Sequence, residues 1–245
     1  MKNYFKNRKI LEDGNVYSKS MEHDACGVGL IASTEGKKSR KVVEYGISAL
    51  KAVFHRGAVD ADGKTGDGAG IHLEIPSDFF AEKIEITGHQ HDGSEICVGM
   101  IFLPRNNYEA QENARTLVES ELTKSNFNIY GWRQVPVNTK VLGEKANFTR
   151  PEITQVLFKN NDKSLRGKDL ERKLYESRRK IEKEAIKNAI DGFYICSLSS
   201  KSIIYKGMFL AESIAEFYTD LNDERFISRY VIFHQRFSTN TAPSW

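Results

Sequence analysis

Asp24-Ala25-Cys26-Gly27-Val28-Gly29-Leu30-Ile31-Ala32 is the stretch on which the reading of this chain turns. Gly27 to Ala32 is a short apolar run of β character. Ahead of it, Met1 to Ala25 is polar, crowded with Lys, Asn, Glu and Asp, and its apolar residues keep no period. Cys26 stands at the junction. Two readings fit the local pattern. One is a buried structural cysteine, packing as a small hydrophobe. The other is a nucleophile. If the leader were removed after Ala25, Cys26 would carry both a thiol and a free α-amine, whose ordinary pKa is ~7.7–8.0. An amine in that range works as a general base near neutral pH. One residue would then supply nucleophile and base together, without a separate histidine. Gly27 and Gly29 leave room for a substrate to lie against the strand. The leader starts with basic residues but has no apolar stretch of a secretory signal. It reads as a frayed terminus or as a propeptide.

Outward from this stretch, strands and helices mix. Lys41 to Phe54 carries Val42, Val43, Ile47, Leu50, Val53 and Phe54 at helical spacing. Gly70 to Ile75 alternates as a half-buried strand does, and Pro76 ends it. Ile96–Leu103 predicts a strand, Tyr108–Lys124 a helix, Asn128–Val137 a strand and Ile153–Phe158 another. Ser164 to Ile190 is the longest helical stretch, with Leu170, Leu174, Ile181, Ala185 and Ala189 along one face. Phe193–Leu198 and Ile203–Met208 suit a hairpin across Ser199-Ser200. Tyr230 to Phe233 is a buried strand that runs into a Ser/Thr/Asn loop before Pro243. Strands in several pairs with helices between them argue for stacked antiparallel sheets covered by helices, an α+β class.

Composition excludes more than it selects. Over 245 residues, 36 Lys and Arg face 33 Asp and Glu, a net charge of +3, with 28% charged and 40% apolar residues. That is the balance of an ordinary globular protein, and it gives no general case for nucleic acid. No run long enough for a transmembrane helix occurs. Three cysteines exclude a complete disulfide framework, and Cys26, Cys97 and Cys196 are too far apart for a zinc pattern. A reduced, cytoplasmic chain follows.

The other motifs favour plain readings. Gly63-Lys64-Thr65 invites a phosphate loop, but the glycine required five residues upstream is Ala58, and a glycine run and strand follow where a helix should open. The segment Asp62 to Gly70 reads as a mobile loop leading into a strand. Lys159 to Lys187 interleaves Arg172, Lys173, Arg178, Arg179, Lys180 and Lys183 with Glu171, Glu176, Glu182 and Glu184, the pattern of a solvated face. His89 and His91 form an H-x-H pair without a third ligand, so loop histidines are expected and no metal site. Cys97 and Cys196 lie in apolar strands and read as inert.

Cys26-Gly27-Val28-Gly29-Leu30-Ile31 resembles the mature amino terminus of the class II glutamine amidotransferases, which are N-terminal-nucleophile hydrolases. The resemblance continues through Phe54-His55-Arg56-Gly57-Ala58 and Thr65-Gly66-Asp67-Gly68-Ala69-Gly70-Ile71. It resumes in His234-Gln235-Arg236-Phe237-Ser238-Thr239-Asn240-Thr241-Ala242-Pro243-Ser244-Trp245, which is similar to the glutamine-binding loop of glutamate synthase large subunits. The blocks taken together in this order are specific where any one would be weak.

The resemblance implies a four-layer αββα sandwich, incomplete at the C-terminus, with residues 1–25 as propeptide and 26–245 as a truncated amidotransferase domain. It implies Cys26 as nucleophile, and Arg236 pairing with the substrate α-carboxylate, a task suited to a planar bidentate cation. Thr239 falls where a hydroxyl meets the same carboxylate. Arg56 matches an arginine near the active site, with structural support of the following loop as its equal alternative. The family's downstream Asn-Gly oxyanion pair and its acid for the substrate α-amine have no match here. Losing an oxyanion donor costs ~10²–10³ in rate, so this chain with its leader attached is expected to be a poor glutaminase. No cofactor is expected in this chain. FMN and an iron–sulfur cluster are implied for the whole protein, with glutamine as substrate, the downstream synthase domains and a small reductase subunit as partners, and no nucleic acid or membrane. The location implied is cytoplasmic, or plastid in a photosynthetic eukaryote. Two other readings stand beside this one. One is a different amide hydrolase of the same nucleophile class. The other is a non-catalytic interaction domain using the Lys159–Lys187 helix, with salt-dependent binding to RNA or an acidic partner.

Overall fold

The computed structural model describes residues 2–14, 18, 27–235 and 243–245. In chain order these form α1 (Lys2–Asp13), β1 (Gly27–Ala32), α2 (Arg40–Ala52), β2 (Thr65–Glu74), α3 (Ser77–Ile86), β3 (Ile96–Leu103), α4 (Tyr108–Lys124) and β4 (Phe127–Gln134). Then come α5 (Glu144–Thr149), β5 (Glu152–Asn160), α6 (Gly167–Lys187), β6 (Tyr194–Ser199), β7 (Ser202–Phe209), α7 (Ile214–Phe217) and β8 (Tyr230–Gln235). A short 3-10 turn, Phe54–Arg56, follows α2.

Two four-stranded sheets result, ordered β1-β8-β2-β7 and β4-β5-β3-β6. Every pairing in them is antiparallel. The expected α+β class and stacked antiparallel sheets are what the chain forms. β3 is buried along its whole length because it is used from both sides. Val98, Met100 and Phe102 face the core between the sheets, while Cys97, Ile101 and Leu103 face α4 and α6. Those helices close the second core with Ala114, Val118, Leu122, Leu170, Leu174 and Ile181.

On the first sheet the inward side chains are Ile71 and Leu73 of β2, Tyr205 of β7, and Val231 and Phe233 of β8. α2 lies over the β1–β8 half of this face. Gly46 makes that possible, since a Cβ there would sit 2.4 Å from Val231 Cγ1. Over the β7 side the two sheets are joined by a buried polar cluster. Arg133 of β4 donates to both carboxylate oxygens of Asp220 (2.8 and 2.9 Å) and to Gln155 Oε1 (2.7 Å). Gln155 Nε2 donates to the Tyr205 hydroxyl, which donates to Asp220, each at 3.2 Å. Burial pushes the Tyr205 phenol well above its usual pKa, so it stays a donor.

Four sequence expectations are corrected. Met1–Ala25, whose apolar residues predict no element, holds a helix, α1 at Lys2–Asp13. The glycine segment before Gly70 is not a loop up to that point. β2 starts at Thr65, and the strand tolerates the run through a register shift between Thr65 and Ala69, with Gly68 at φ 122°. That conformation is open to glycine and strained for other residues. A strand at Thr65 also removes the phosphate-loop geometry.

β6 and β7 are not a hairpin. β6 pairs with β3 and β7 with β2, so the turn between them carries the chain from one sheet to the other. Ser199 Oγ accepts from the Lys201 and Ser202 amides (2.9 and 3.2 Å), and Glu171 accepts from Ser199 Oγ and the Ser200 amide (2.8 and 2.9 Å). Finally, α6 is shorter than its periodic pattern. Asp162 holds Ser164 in a turn, and Gly167 at φ 61° opens the helix. At the other end Ala189 turns left-handed (φ 51°), and the Ile190 amide reaches back to Ala185 O (3.0 Å), closing the last turn. The remaining charges behave as the sequence predicts, Arg178 and Arg179 both pairing with Glu182.

Candidate active site

Three of the motif blocks meet at one end of the first sheet. In the β1–β8 register Gly27 is paired with Gln235, and in the β2–β8 register Gln235 is paired with Ala69. The next residues outward in sequence are Cys26 and Arg236, which lie outside the described residues, as does Thr239. The sheet therefore brings the neighbours of the expected nucleophile and of the expected carboxylate clamp side by side.

Arg56 is the expected site residue that the described structure places. The 3-10 turn after α2 carries it back over the start of β1, where its Cβ and Cγ lie 3.0 and 3.3 Å from the position a Gly27 Cβ would take. A side chain at 27 would press on that stem. Among the described residues the Arg56 guanidinium has no ion pair, and its side chain is exposed. A cation beside Gly27 with no ion pair among the described residues is available to an anionic ligand.

Gly57 and Asp67 complete the frame. The Ala58 amide donates to Asp67 Oδ1 (3.0 Å), and the Asp67 amide donates to Ala58 O (3.2 Å). Val59 and Gly66 form a β-bridge beyond them. The His-Arg-Gly block is thereby zipped onto the Thr-Gly-Asp-Gly block. Gly57 packs on the Gln235 side chain so closely that a Cβ at 57 would fall 1.9 Å from Gln235 Nε2. Neither Asp67 nor Gln235 is assigned a role by sequence reasoning. Their signal was position alone, one inside a glycine run and one beside Arg236.

A second tier supports these residues. Asp62 accepts from the Lys64 and Thr65 amides (3.0 and 2.7 Å) and from Thr65 Oγ1 (2.6 Å), which holds its carboxyl well below the usual range. Thr65 Oγ1 accepts in turn from the Ala146 amide of α5 (3.2 Å), and Trp245 Nε1 donates to Ala146 O (3.0 Å). Lys145 pairs with Asp60 at 2.7 Å, lowering the aspartate and raising the lysine. A cavity of about 280 Å³ opens here, lined by Ala58, Asp60, Thr65, Gly66, Asp67 and Lys145 among others.

The family model described as "Glutamine amidotransferases class-II" matches residues 26–245, starting at the residue where the polar leader gives way to the strand. The chain belongs to the class-II glutamine amidotransferases. This amidotransferase sequence is 55% identical over 239 residues to the "Glutamate synthase [NADPH] large chain" of Azospirillum brasilense, covering 98% of this chain and 16% of the relative. It is 40% identical over 225 residues to "Ferredoxin-dependent glutamate synthase 2" of Synechocystis sp., covering 91% of this chain and 14% of that one. With the "Ferredoxin-dependent glutamate synthase, chloroplastic" of Spinacia oleracea it shares 40% identity over 226 residues, again 91% and 14%. The chain thus spans only a small part of each relative's length.

Cys97, Cys196, His89 and His91 lie elsewhere in the fold. Burial pushes the Cys196 thiol up to about 12 and the Cys97 thiol higher still, which keeps both protonated. His89 and His91 sit in a loop, hydrogen-bonded within it at 3.2 Å to Thr87 Oγ1 and 2.9 Å to Ser94 O. Among the described residues no group of three or more His, Cys, Asp or Glu is placed to hold a metal ion. These residues do not fit an iron–sulfur cluster, which takes cysteine thiolates. Among the described residues no helix is long and apolar enough to cross a membrane.

Proposed function

We propose that this chain is the glutamine-hydrolysing region of a glutamate synthase large subunit, with residues 1–25 a propeptide and Cys26 the nucleophile. The observation that carries the reading is the pairing of Gly27 with Gln235 beneath Arg56. It sets the chain neighbours of Cys26 and Arg236 at one sheet end, in a chain whose family match begins at residue 26. The α-amine of Cys26 takes the thiol proton, and the thiolate attacks the side-chain carbonyl carbon of glutamine. The tetrahedral species collapses to a glutamyl thioester as the protonated amine gives its proton to departing ammonia. Water then attacks the thioester, releasing glutamate and restoring the thiol. Arg236 and Thr239 hold the substrate α-carboxylate, and the Arg56 guanidinium adds positive potential at this sheet end.

In the whole protein the ammonia passes to synthase domains of the same chain, where 2-oxoglutarate is reductively aminated. FMN and an iron–sulfur cluster belong to those domains, and the location is cytoplasmic. The test is affinity labelling by an electrophilic glutamine analogue. It is expected to modify Cys26 alone, with free glutamine protecting, and Cys26→Ala is expected to abolish glutamine hydrolysis. Labelling elsewhere, or turnover by Cys26→Ala, overturns the reading.

A further inference from the structure

Gln235 is a buried polar residue whose burial the fold does not explain. It is 1% exposed, at the end of β8, with its backbone in register with Gly27 on one side and Ala69 on the other. Its side chain points to the face that α2 covers further along. At this end it is enclosed instead by the start of β1 and by Gly57. Gln235 Cβ lies 3.1 Å from where a Gly27 Cβ would be, and its amide nitrogen lies against Gly57. Two glycines thus make the space for one carboxamide. Yet Gln235 Oε1 is buried with no hydrogen-bond partner among the described residues. A lost partner of this kind costs about 1–3 kcal/mol. An apolar side chain of the same length would avoid the cost, so the oxygen needs an account.

Leader removal creates donors at this place. Gly27 is the paired residue of Gln235, and the residue before it is Cys26. While the leader is attached, residue 26 offers one amide hydrogen. Once it is the first residue, it carries an amine with additional hydrogens, on the residue that precedes Gly27 in sequence.

We propose that Gln235 is a positioning residue whose side-chain carbonyl accepts a hydrogen bond from the α-amine of Cys26 in the processed protein. The bond aims the amine lone pair at the thiol and also favours the protonated amine that forms during attack. The proposal rests on the reading of Cys26 as an amino-terminal nucleophile. It adds a partner that the recognised motif residues do not supply.

The experiment uses the full-length protein prepared with Cys26 as its first residue, in wild-type, Gln235→Met, Gln235→Glu and Cys26→Ala forms. Gln235→Met keeps length and removes the acceptor, whereas Gln235→Glu keeps an acceptor oxygen. Two readouts are taken: glutamine hydrolysis with kcat and KM separated, and the pH dependence of α-amine carbamylation by cyanate. For Gln235→Met we expect kcat to fall roughly tenfold or more, the scale of impaired proton transfer, with KM within about twofold. We also expect the amine to titrate lower and the thermal midpoint to hold or rise. Gln235→Glu is expected to recover part of kcat and to titrate higher. Wild-type kcat and amine titration in Gln235→Met overturn the proposal, as does equal loss in both variants with no change in titration. Hydrolysis that survives Cys26→Ala overturns the underlying reading instead, and the carbamylation profile still decides whether Gln235 touches the amine.

Discussion

Ala58 and Asp67 exchange two hydrogen bonds, one through the aspartate side chain at 3.0 Å and one through its backbone at 3.2 Å. The pair fastens the loop carrying Arg56 to the strand that flanks Gln235. Asp67→Ala removes the charged acceptor from the Ala58 amide, a loss on the order of 1–2 kcal/mol for a part-exposed charged hydrogen bond. Because the bond sits between motif blocks, glutamine hydrolysis is expected to fall more steeply than stability. Denaturant melts and turnover measured together check this. Equal effects on both, or none, would sink the idea.

Gly46 stands in the middle of α2, where alanine is a better helix former by ~1 kcal/mol. Gly46→Ala is nevertheless expected to destabilise, by about 1–2 kcal/mol net, because its Cβ would meet Val231 Cγ1 at 2.4 Å. Val231 is β-branched and stiff, so it does not swing aside. The double variant with Val231→Ala should lose less than the sum of the two single losses. Strict additivity in thermal melts would contradict the contact.

The strands and the long helices were legible in the sequence because period and length mark them. β3 and α4 fall on Ile96–Leu103 and Tyr108–Lys124, the ranges their apolar patterns predict. What escaped was information that periodicity does not carry. β6 and β7 each need a buried face whether they pair with each other or with different sheets, so the corner at Ser199–Ser202 looks like a hairpin turn. The glycine run from Gly66 to Gly70 has no side chains to alternate, so the first half of β2 shows no pattern. Of the candidate site, the motif pointed to Arg56, which the fold sets against Gly27, whereas the burial of Gln235 and the partners of Asp67 are visible only in the fold.

Asp220 meets Arg133 through two hydrogen bonds, and the side chains are 4% and 13% exposed. Removing one partner of such a pair strands the other charge out of water, at a cost of ~3–5 kcal/mol. Asp220→Ala is expected to fall in that range, and Asp220→Asn, which keeps an acceptor, to lose less. A loss under ~1 kcal/mol by urea denaturation would show that the cluster does not join the sheets.

Acid should weaken the fold partly through Asp223. Hydrogen bonds from Arg225 lower its carboxyl to about 2, against an unfolded value of ~3.9. Between those values the unfolded chain binds more protons, so stability rises with pH there. The contribution is complete above about pH 4 and is lost as pH falls through about 2. Asp223→Asn should flatten the stability–pH curve within that window, and above it lower stability by a constant amount without changing the slope. A curve parallel to wild type throughout would refute the assignment.

Among the described residues β1 pairs with β8 alone, and the other described strands lie between them in sequence. During synthesis β1 therefore waits for β8. Its edge hydrogen bonds stay open to water, or to a chaperone, until Gln235 has cleared the ribosome. In the first sheet the pairing of β2 with β7 is available earlier. The strand that begins at Gly27 is thus locked in place only after the surrounding scaffold exists.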